Sequence, residues 1–209
     1  KVSLAGPGFV NFYLSPQSLQ QSVQVGLKKS SAPDWRGKKV LIEYSSPNIA
    51  KPMHVGHLRS TIIGDAIANV FEFLGYEVVR WIYLGDWGTQ FGKLIVAYEL
   101  WGNRRKVAKN PIEELEKLYV RFHQELKDNL ALEAEGSEEF KKLETGDKKN
   151  RKLWRWFKKE SLKEFNKIYN RLGVSFSTQI CEAFYEKDLD VIINLLKEEG
   201  LTQISEGAL

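Results

Sequence analysis

The sequence predicts an α/β protein whose core is a parallel strand–helix–strand unit, interrupted further along by helices. Three observations carry this prediction. A short apolar segment at 39–44, "KVLIEY", is followed after a loop by apolar residues at helical spacing from 54 to 74, and then by a second strand-like segment at 77–85, "EVVRWIYLG". Such a unit is nearly always right-handed, and its ligand crevice lies at the carboxyl ends of the strands.

Taken in order, the opening "KVSLAGPGFVNFYLS" reads as a strand broken by Gly6-Pro7-Gly8, and the polar stretch 15–24 as helical or loose. Residues 28–38, "KKSSAPDWRGK", carry turn formers and charge and serve as a linker, which places a domain boundary there. The β-branched run at 39–44 suits a buried parallel strand. In the segment after the loop, Leu58, Ile62, Ile63, Ala66, Ile67, Val70, Phe71 and Leu74 form the apolar stripe of a helix, and Gly75 is its natural stop. Beyond Gly85 the texture becomes amphipathic. Asn110-Pro111-Ile112-Glu113 resembles a capping box with proline at the first helical position, opening a helix with Leu115, Leu118, Tyr119, Phe122 and Leu126 on one face. Residues 133–150 read as a charged connector, followed by a helix bearing Trp154, Phe157, Phe165, Ile168, Tyr169 and Leu172. Asp188 is placed to cap a last helix ending at Gly200, after which "LTQIS" starts another strand.

With 43% hydrophobic and 28% charged residues, the 209-residue chain is ordinary for a globular protein and is neither disordered nor membrane-embedded. The excess of 31 Lys+Arg over 27 Asp+Glu permits an anionic partner without demanding one. A single cysteine, Cys181, cannot form an internal disulfide, which points to a reducing compartment, and Cys181 itself reads as a small buried residue. The sole methionine is Met53, so the chain is expected to be a piece of a longer protein.

The loop between the first strand and its helix, "SSPNIAKPMHVGHLR" at 45–59, holds two of the chain's three histidines. His54 and His57 are three residues apart, so a helix beginning near His54 puts both rings on one face of its first turn. Unpaired N–H groups and the positive end of the helix dipole already favour an anion there, and two imidazoles added to that pole suit a phosphate chain. Gly56 leaves room for a base or ribose to approach the backbone, and Pro47 and Pro52 stiffen the approach. The plainer reading is a histidine pair that caps the helix. A zinc site is weaker, because only His123 and Cys181 remain as companions, neither at ligand spacing.

"HVGH" looks like the "HIGH" signature of class I aminoacyl-tRNA synthetases, and its surroundings are more specific. "SSPNIAKPMHVGHLRSTIIGDAI" followed by "YLGDWGTQFG" resembles the arginyl-tRNA synthetase family nearly throughout, and the likeness runs through "YNRLGV" and "AFYEKD". The resemblance implies a Rossmann-type (HUP-like) parallel nucleotide-binding core, incomplete here, with a helical insertion at about 101–172. It makes 1–36 the end of an N-terminal additional domain with its linker, and 37–209 the first part of the catalytic domain. The implied activity joins L-arginine to arginine tRNA through an arginyl-adenylate made from ATP, with Mg2+ accompanying the ATP and no metal site in the protein. The implied setting is a monomer, away from membranes, in the cytoplasm, with an organellar form left open.

By the same resemblance His54, Gly56 and His57 line the ATP site, Ser46, Pro47 and Asn48 contact arginine, and His57 touches both substrates. Many members of the family lack the final lysine of the second signature and carry a lysine just before the first. Lys51 stands there, so it is expected to reach the ATP phosphates; otherwise it is a solvated loop lysine. Glu43 is the odd carboxylate of an apolar strand and needs a partner, either the guanidinium or amino group of arginine or a cation of the protein. Asp86 and Gln90 in "GDWGTQFG" fall on the same crevice edge and are expected at the substrate site. The family's second signature, "KMSK" or a degenerate form, is not reached, since "KKES" at 158–161 lies in a helix. A non-catalytic relative that keeps the fold as a binding or assembly module is the rival reading. Elsewhere, Trp154, Trp156 and Phe157 read as core aromatics, and Lys148, Lys149, Arg151, Lys152, Arg155, Lys158 and Lys159 as a solvated face with tRNA contact as the alternative.

Overall fold

The computed structural model describes residues 1–28 and 35–205, the side chains of 27 and 28 excepted, so most of the expected linker at 28–38 lies outside the described residues. The chain forms two compact units, one of 1–40 with 69–78 and one of 41–68 with 79–209.

In the smaller unit the expected broken strand is an antiparallel hairpin of β1 (Val2–Ala5) and β2 (Phe9–Phe12), in register Val2↔Phe12 to Ala5↔Phe9. Gly6 and Gly8, at φ 56° and 100°, supply the left-handed backbone that the turn between them requires. Helix α1 (Pro16–Lys28) follows, its start held by the Ser15 hydroxyl, which accepts from the Ser18 N–H at 3.1 Å. Trp35 stacks on Tyr76 at 5.4 Å, and Tyr76 meets the Phe71 ring edge-on at 5.1 Å.

Strand β3 (Lys39–Glu43), helix α2 (Val55–Phe73) and strand β4 (Glu77–Ile82) realise the expected unit, and each crosses the division between the two compact units. Bonding from Glu77 N–H to Lys38 O and from Tyr44 N–H to Trp81 O advances along both strands together, the mark of parallel pairing. A short β5 (Thr178–Gln179) pairs parallel with β4, giving the order β3-β4-β5. Among the described residues β3 has a single neighbouring strand, and Leu41 and Glu43 are exposed rather than buried as expected. Helix α2 also departs from expectation. Its buried stripe consists of Thr61, Gly64 and Ala68, whereas Ile62, Ile63, Ile67 and Val70 face outward. Small residues win because of close approach: a Cβ on Gly64 would lie 2.2 Å from the Tyr44 Cβ.

The helical part comprises α3 (Thr89–Trp101), α4 (Arg104–Lys109), α5 (Pro111–Glu125), α6 (Ala131–Glu144), α7 (Lys148–Leu172), a 3-10 turn at Glu182–Asp188 and α8 (Leu189–Glu198). Most of the expected connector at 133–150 is helix α6. Its charges are the exposed face, while Leu132, Gly136, Phe140 and Leu143 are buried. Glycines let α6 press on α3, since a Cβ on Gly92 would stand 2.0 Å from the Gly136 carbonyl oxygen. Pro111 opens α5 as expected, but Asn110 makes no capping bond with its side chain. Capping occurs instead at α4, where Asn103 Oδ1 accepts from Arg105 and Lys106 N–H, and at α7, where Asp147 Oδ1 accepts from Lys149 and Asn150 N–H. No strand forms at 201–204.

The main core, around Phe91, Ile95, Leu115, Phe122, Leu143 and Phe157, joins α3, α5, α6 and α7, with Trp154 buried in it and Trp156 packed against it. A second cluster, Ile82, Leu84, Phe165, Tyr169 and Cys181, lies between the sheet and α7. None of the described helices is long and apolar enough to cross a membrane.

Candidate active site

Between β3 and α2 the backbone is held in an uncommon form: Ser45, Ser46 and Ala50 have φ of 72°, 43° and 60°. Non-glycine residues keep such angles only when their surroundings fix them. The Ser45 hydroxyl is 2.7 Å from the Tyr169 hydroxyl, Ser46 Oγ donates to Glu43 Oε1 at 2.8 Å, and the Ala50 N–H donates to Ser161 Oγ at 3.0 Å. Burial pushes the Tyr169 hydroxyl up to about 12, against the opposing pull of Ser45, so it remains a neutral partner. Across the strand ends the Ile49 N–H donates to the Gly85 carbonyl at 3.0 Å, and a Cβ on Gly85 would fall 1.8 Å from Asn48 Oδ1. Gly85 is thus needed for close approach, and α7 contributes the two buried hydroxyl anchors.

At the start of α2 the two histidine rings lie 3.9 Å apart between centroids, tilted by 37°. His57 Nδ1 accepts from the His54 N–H at 3.2 Å, and His54 Nδ1 accepts from the Gly56 N–H at 3.1 Å. Capping and anion binding are therefore compatible: an Nδ1 that accepts fixes the tautomer, and each neutral ring then carries its proton on Nε2 as a free donor. Burial, and then the neighbouring His54, hold the His57 imidazole below its usual pKa, which favours the neutral ring at neutral pH. A Cβ on Gly56 would meet the His54 ring at Cε1, 2.9 Å away, so the glycine also leaves that ring room beside the turn.

A cavity of about 460 Å3 opens beside these rings. It is lined by Asn48, Lys51, His54, His57 and Gln90, with Ile49, Phe91 and Leu94 as apolar surface. The Lys51 ammonium stands 5.5 Å from the centroid of the Tyr119 ring. Helix α5 supplies the remaining wall, Glu116, Tyr119 and Val120, which sequence reasoning missed. The only signal was the i, i+3, i+4 spacing of these residues on a helix read as core.

Other expected site residues stand elsewhere. Ser46 and Pro47 shape the turn without lining the cavity. Glu43 is exposed and outside the cavity lining, and its carboxylate accepts from the Ser46 hydroxyl. Asp86 is 0% exposed and outside the cavity: its carboxylate lies 2.5 Å from Lys158 Nζ and accepts from the Ala183 N–H at 3.0 Å, while its carbonyl accepts from Trp154 Nε1 at 2.7 Å. Lys158 therefore leaves the expected solvated face. Burial lowers its affinity for a proton, but Asp86 more than offsets this and raises its pKa. Arg151 leaves that face too, pairing with Glu186 and covering the Trp87 ring at 4.8 Å. Among the described residues no cluster of three or more His, Cys, Asp or Glu forms a metal cage.

Residues 17–209 match the family described as tRNA synthetases class I (R), catalytic domain. An arginine–tRNA ligase 2 of Bacillus anthracis is 50% identical over 214 residues, covering 100% of this chain and 38% of its own length. The arginine–tRNA ligase of Streptococcus mutans is 46% identical over 213 residues, again across 38% of its length. The solved arginyl-tRNA synthetase of Plasmodium falciparum superposes with a TM-score of 0.65 at 33% identity, over 98% of this chain and 37% of that one. That of Thermus thermophilus gives 0.61 at 27% identity, over 94% and 32%. The chain spans 38% of the length of the curated relatives it matches.

Proposed function

We propose, from the premise that the chain belongs to the class I tRNA synthetase (R) catalytic-domain family, that the protein carrying it activates L-arginine with ATP and charges arginine tRNA. One observation carries the site assignment: two imidazoles whose Nδ1 atoms are committed to the first turn of α2, with free Nε2 donors beside the cavity. The arginine carboxylate attacks the α-phosphorus of ATP and pyrophosphate leaves; a hydroxyl of the tRNA's terminal ribose then takes the arginyl group from the adenylate, and AMP leaves. Nothing in this sequence requires a covalent enzyme intermediate. The protein positions the reactants and relieves charge building on the phosphates, a role suited to preorganised donors at a helix start.

In this reading His54 and His57 donate to phosphate oxygens, and Lys51 adds a mobile positive charge. Ser46, Pro47 and Asn48 shape the arginine side, Gln90 contacts substrate from across the cavity, and exposed Glu43 offers a carboxylate to a cationic group of arginine. Asp86 acts at one remove, fixing the loop that presents Gln90. Among the described residues Glu116 is the one carboxylate lining the cavity, so Mg2+ would arrive on the ATP phosphates. We also assign 1–36 to the end of an additional domain and 37–209 to the first part of the catalytic domain, in a cytoplasmic monomer. Pyrophosphate exchange into ATP by the full-length protein, in the presence of arginine tRNA, tests the reading. Exchange should depend on arginine; exchange driven equally by lysine or by no amino acid would defeat it.

A further inference from the structure

Away from the cavity just described, helices α3, α4 and α7 enclose a groove of about 840 Å3 lined by Arg104, Lys148, Lys149, Lys152, Tyr98, Glu99, Leu153 and Trp156. Its charge is one-sided. Glu99 is its only acid and is already matched by Lys149, 2.5 Å away, so Arg104, Lys148 and Lys152 have no carboxylate partner among the described residues. Lys148 and Lys152 are one turn apart on α7, which spaces two ammonium groups along one wall by about 6 Å of helix rise. The floor is aromatic: the Arg104 guanidinium covers the partly exposed Trp156 ring at 4.8 Å, and Tyr98 holds that ring edge-on at 5.5 Å. A lysine-rich helix face alone would be a solvated surface. Here the cations border a concavity with a flat π-surface at its base.

We infer that this groove is a docking surface for the phosphate backbone of an RNA, with Trp156 and its Arg104 cover available to a base. Uncompensated cations beside stacking aromatics are the combination that tracks a nucleic acid strand without reading its sequence. An acidic protein segment would satisfy the charges but would leave the aromatic floor without a matching ring. The inference rests on the proposed function for the identity of the RNA, the tRNA substrate, and not for the groove itself.

The test uses the full-length protein and an arginine tRNA transcript, with binding measured from roughly 50 to 200 mM salt. Lys152→Gln and Arg104→Gln should each flatten the plot of log affinity against log salt by about 0.7–0.9, and together by about twice that. Both should raise the KM for tRNA while leaving the KM values for arginine and ATP in place. Arg104→Lys should restore the slope because it keeps the charge. Lys159→Gln, exposed on α7 outside the groove, should leave the slope unchanged. Wild-type slopes in folded groove variants would overturn the inference and leave the surface to an acidic protein partner. An equal loss from Lys159→Gln would also overturn it, reducing the effect to diffuse surface charge. Groove-dependent tRNA binding without arginine-dependent exchange would defeat the proposed activity and leave the groove standing.

Discussion

Helices α2 and α3 each follow a strand of the same parallel sheet, and both are rich in apolar residues, yet they bury them differently. Helix α3 is enclosed by the other helices, with Phe91, Gly92, Leu94, Ile95, Val96 and Ala97 all buried. Helix α2 buries only Thr61, Gly64 and Ala68 and leaves Ile63 52% exposed, while its first turn carries both histidines beside the cavity. The comparison separates two tasks. Cohesion of the larger unit rests on α3 with α5, α6 and α7, and the proposed chemistry is assigned to the first turn of α2 and the loop that leads to it. The link between them is α7, which anchors that loop through Ser161 and Tyr169 and the β4–α3 turn through Lys158.

The link offers the hardest break. Lys158→Met leaves the Asp86 carboxylate buried without its cation, and loss of one partner of such a pair costs about 3–5 kcal/mol. Chemical denaturation of the chain should show this loss, and Asp86→Asn added to Lys158→Met should recover part of it. The folded pKa of Lys158 lies above its ordinary value of 10.5, so this contribution is fully present below that pH. It should fall away as pH rises through the raised value, and a wild-type denaturation series at alkaline pH reads that decline against the double variant.

Within the comparison itself, Ile95→Ala in α3 should cost about 2–4 kcal/mol, because a fully buried residue leaves a cavity. Ile63→Ala in α2 should cost under about 1 kcal/mol in the same 209-residue chain. Equal losses by denaturant titration would erase the distinction between the helices. A smaller effect sharpens the functional half. Asn48→Ala in the full-length protein should raise the KM for arginine several-fold, the loss of about 1 kcal/mol of hydrogen bonding, with less change for ATP. If only the KM for ATP moved, Asn48 would belong to the nucleotide side.

What the sequence disclosed follows the same division. The start of α2, the two strands around it and the histidine turn were legible because each is a local pattern: an apolar run, a helical period and a spacing of three. Burial was not, because it depends on what comes to lie alongside. Ile62 and Ile63 have the composition of core residues, but Gly64 permits the close approach to Tyr44 that decides which face turns inward, and Ala68 is buried on that face with it. Helix α6 was hidden because its buried stripe includes a glycine, which reads as a break until α3 is seen to need the space. Asp86 adjoins the strand end in its motif, and the ion pair that holds it depends on Lys158, 72 residues later, which no local pattern could show. The cavity wall from α5 is likewise a tertiary fact. Sequence spacing put Tyr119 on the apolar face of its helix but could not say that it would stand beside Lys51.

The first turn of α2 is expected to supply chemistry without supplying much stability. His57→Ala tests it when arginine-dependent exchange and thermal unfolding are measured on the same preparation of the full-length protein. The expected result is a fall in exchange rate of about 100-fold or more, the usual consequence of removing a preorganised donor to developing charge. The melting temperature should move by no more than about 2–4 °C. Near-normal exchange from folded His57→Ala protein, or a loss of exchange that merely follows a loss of folded protein, would contradict the account.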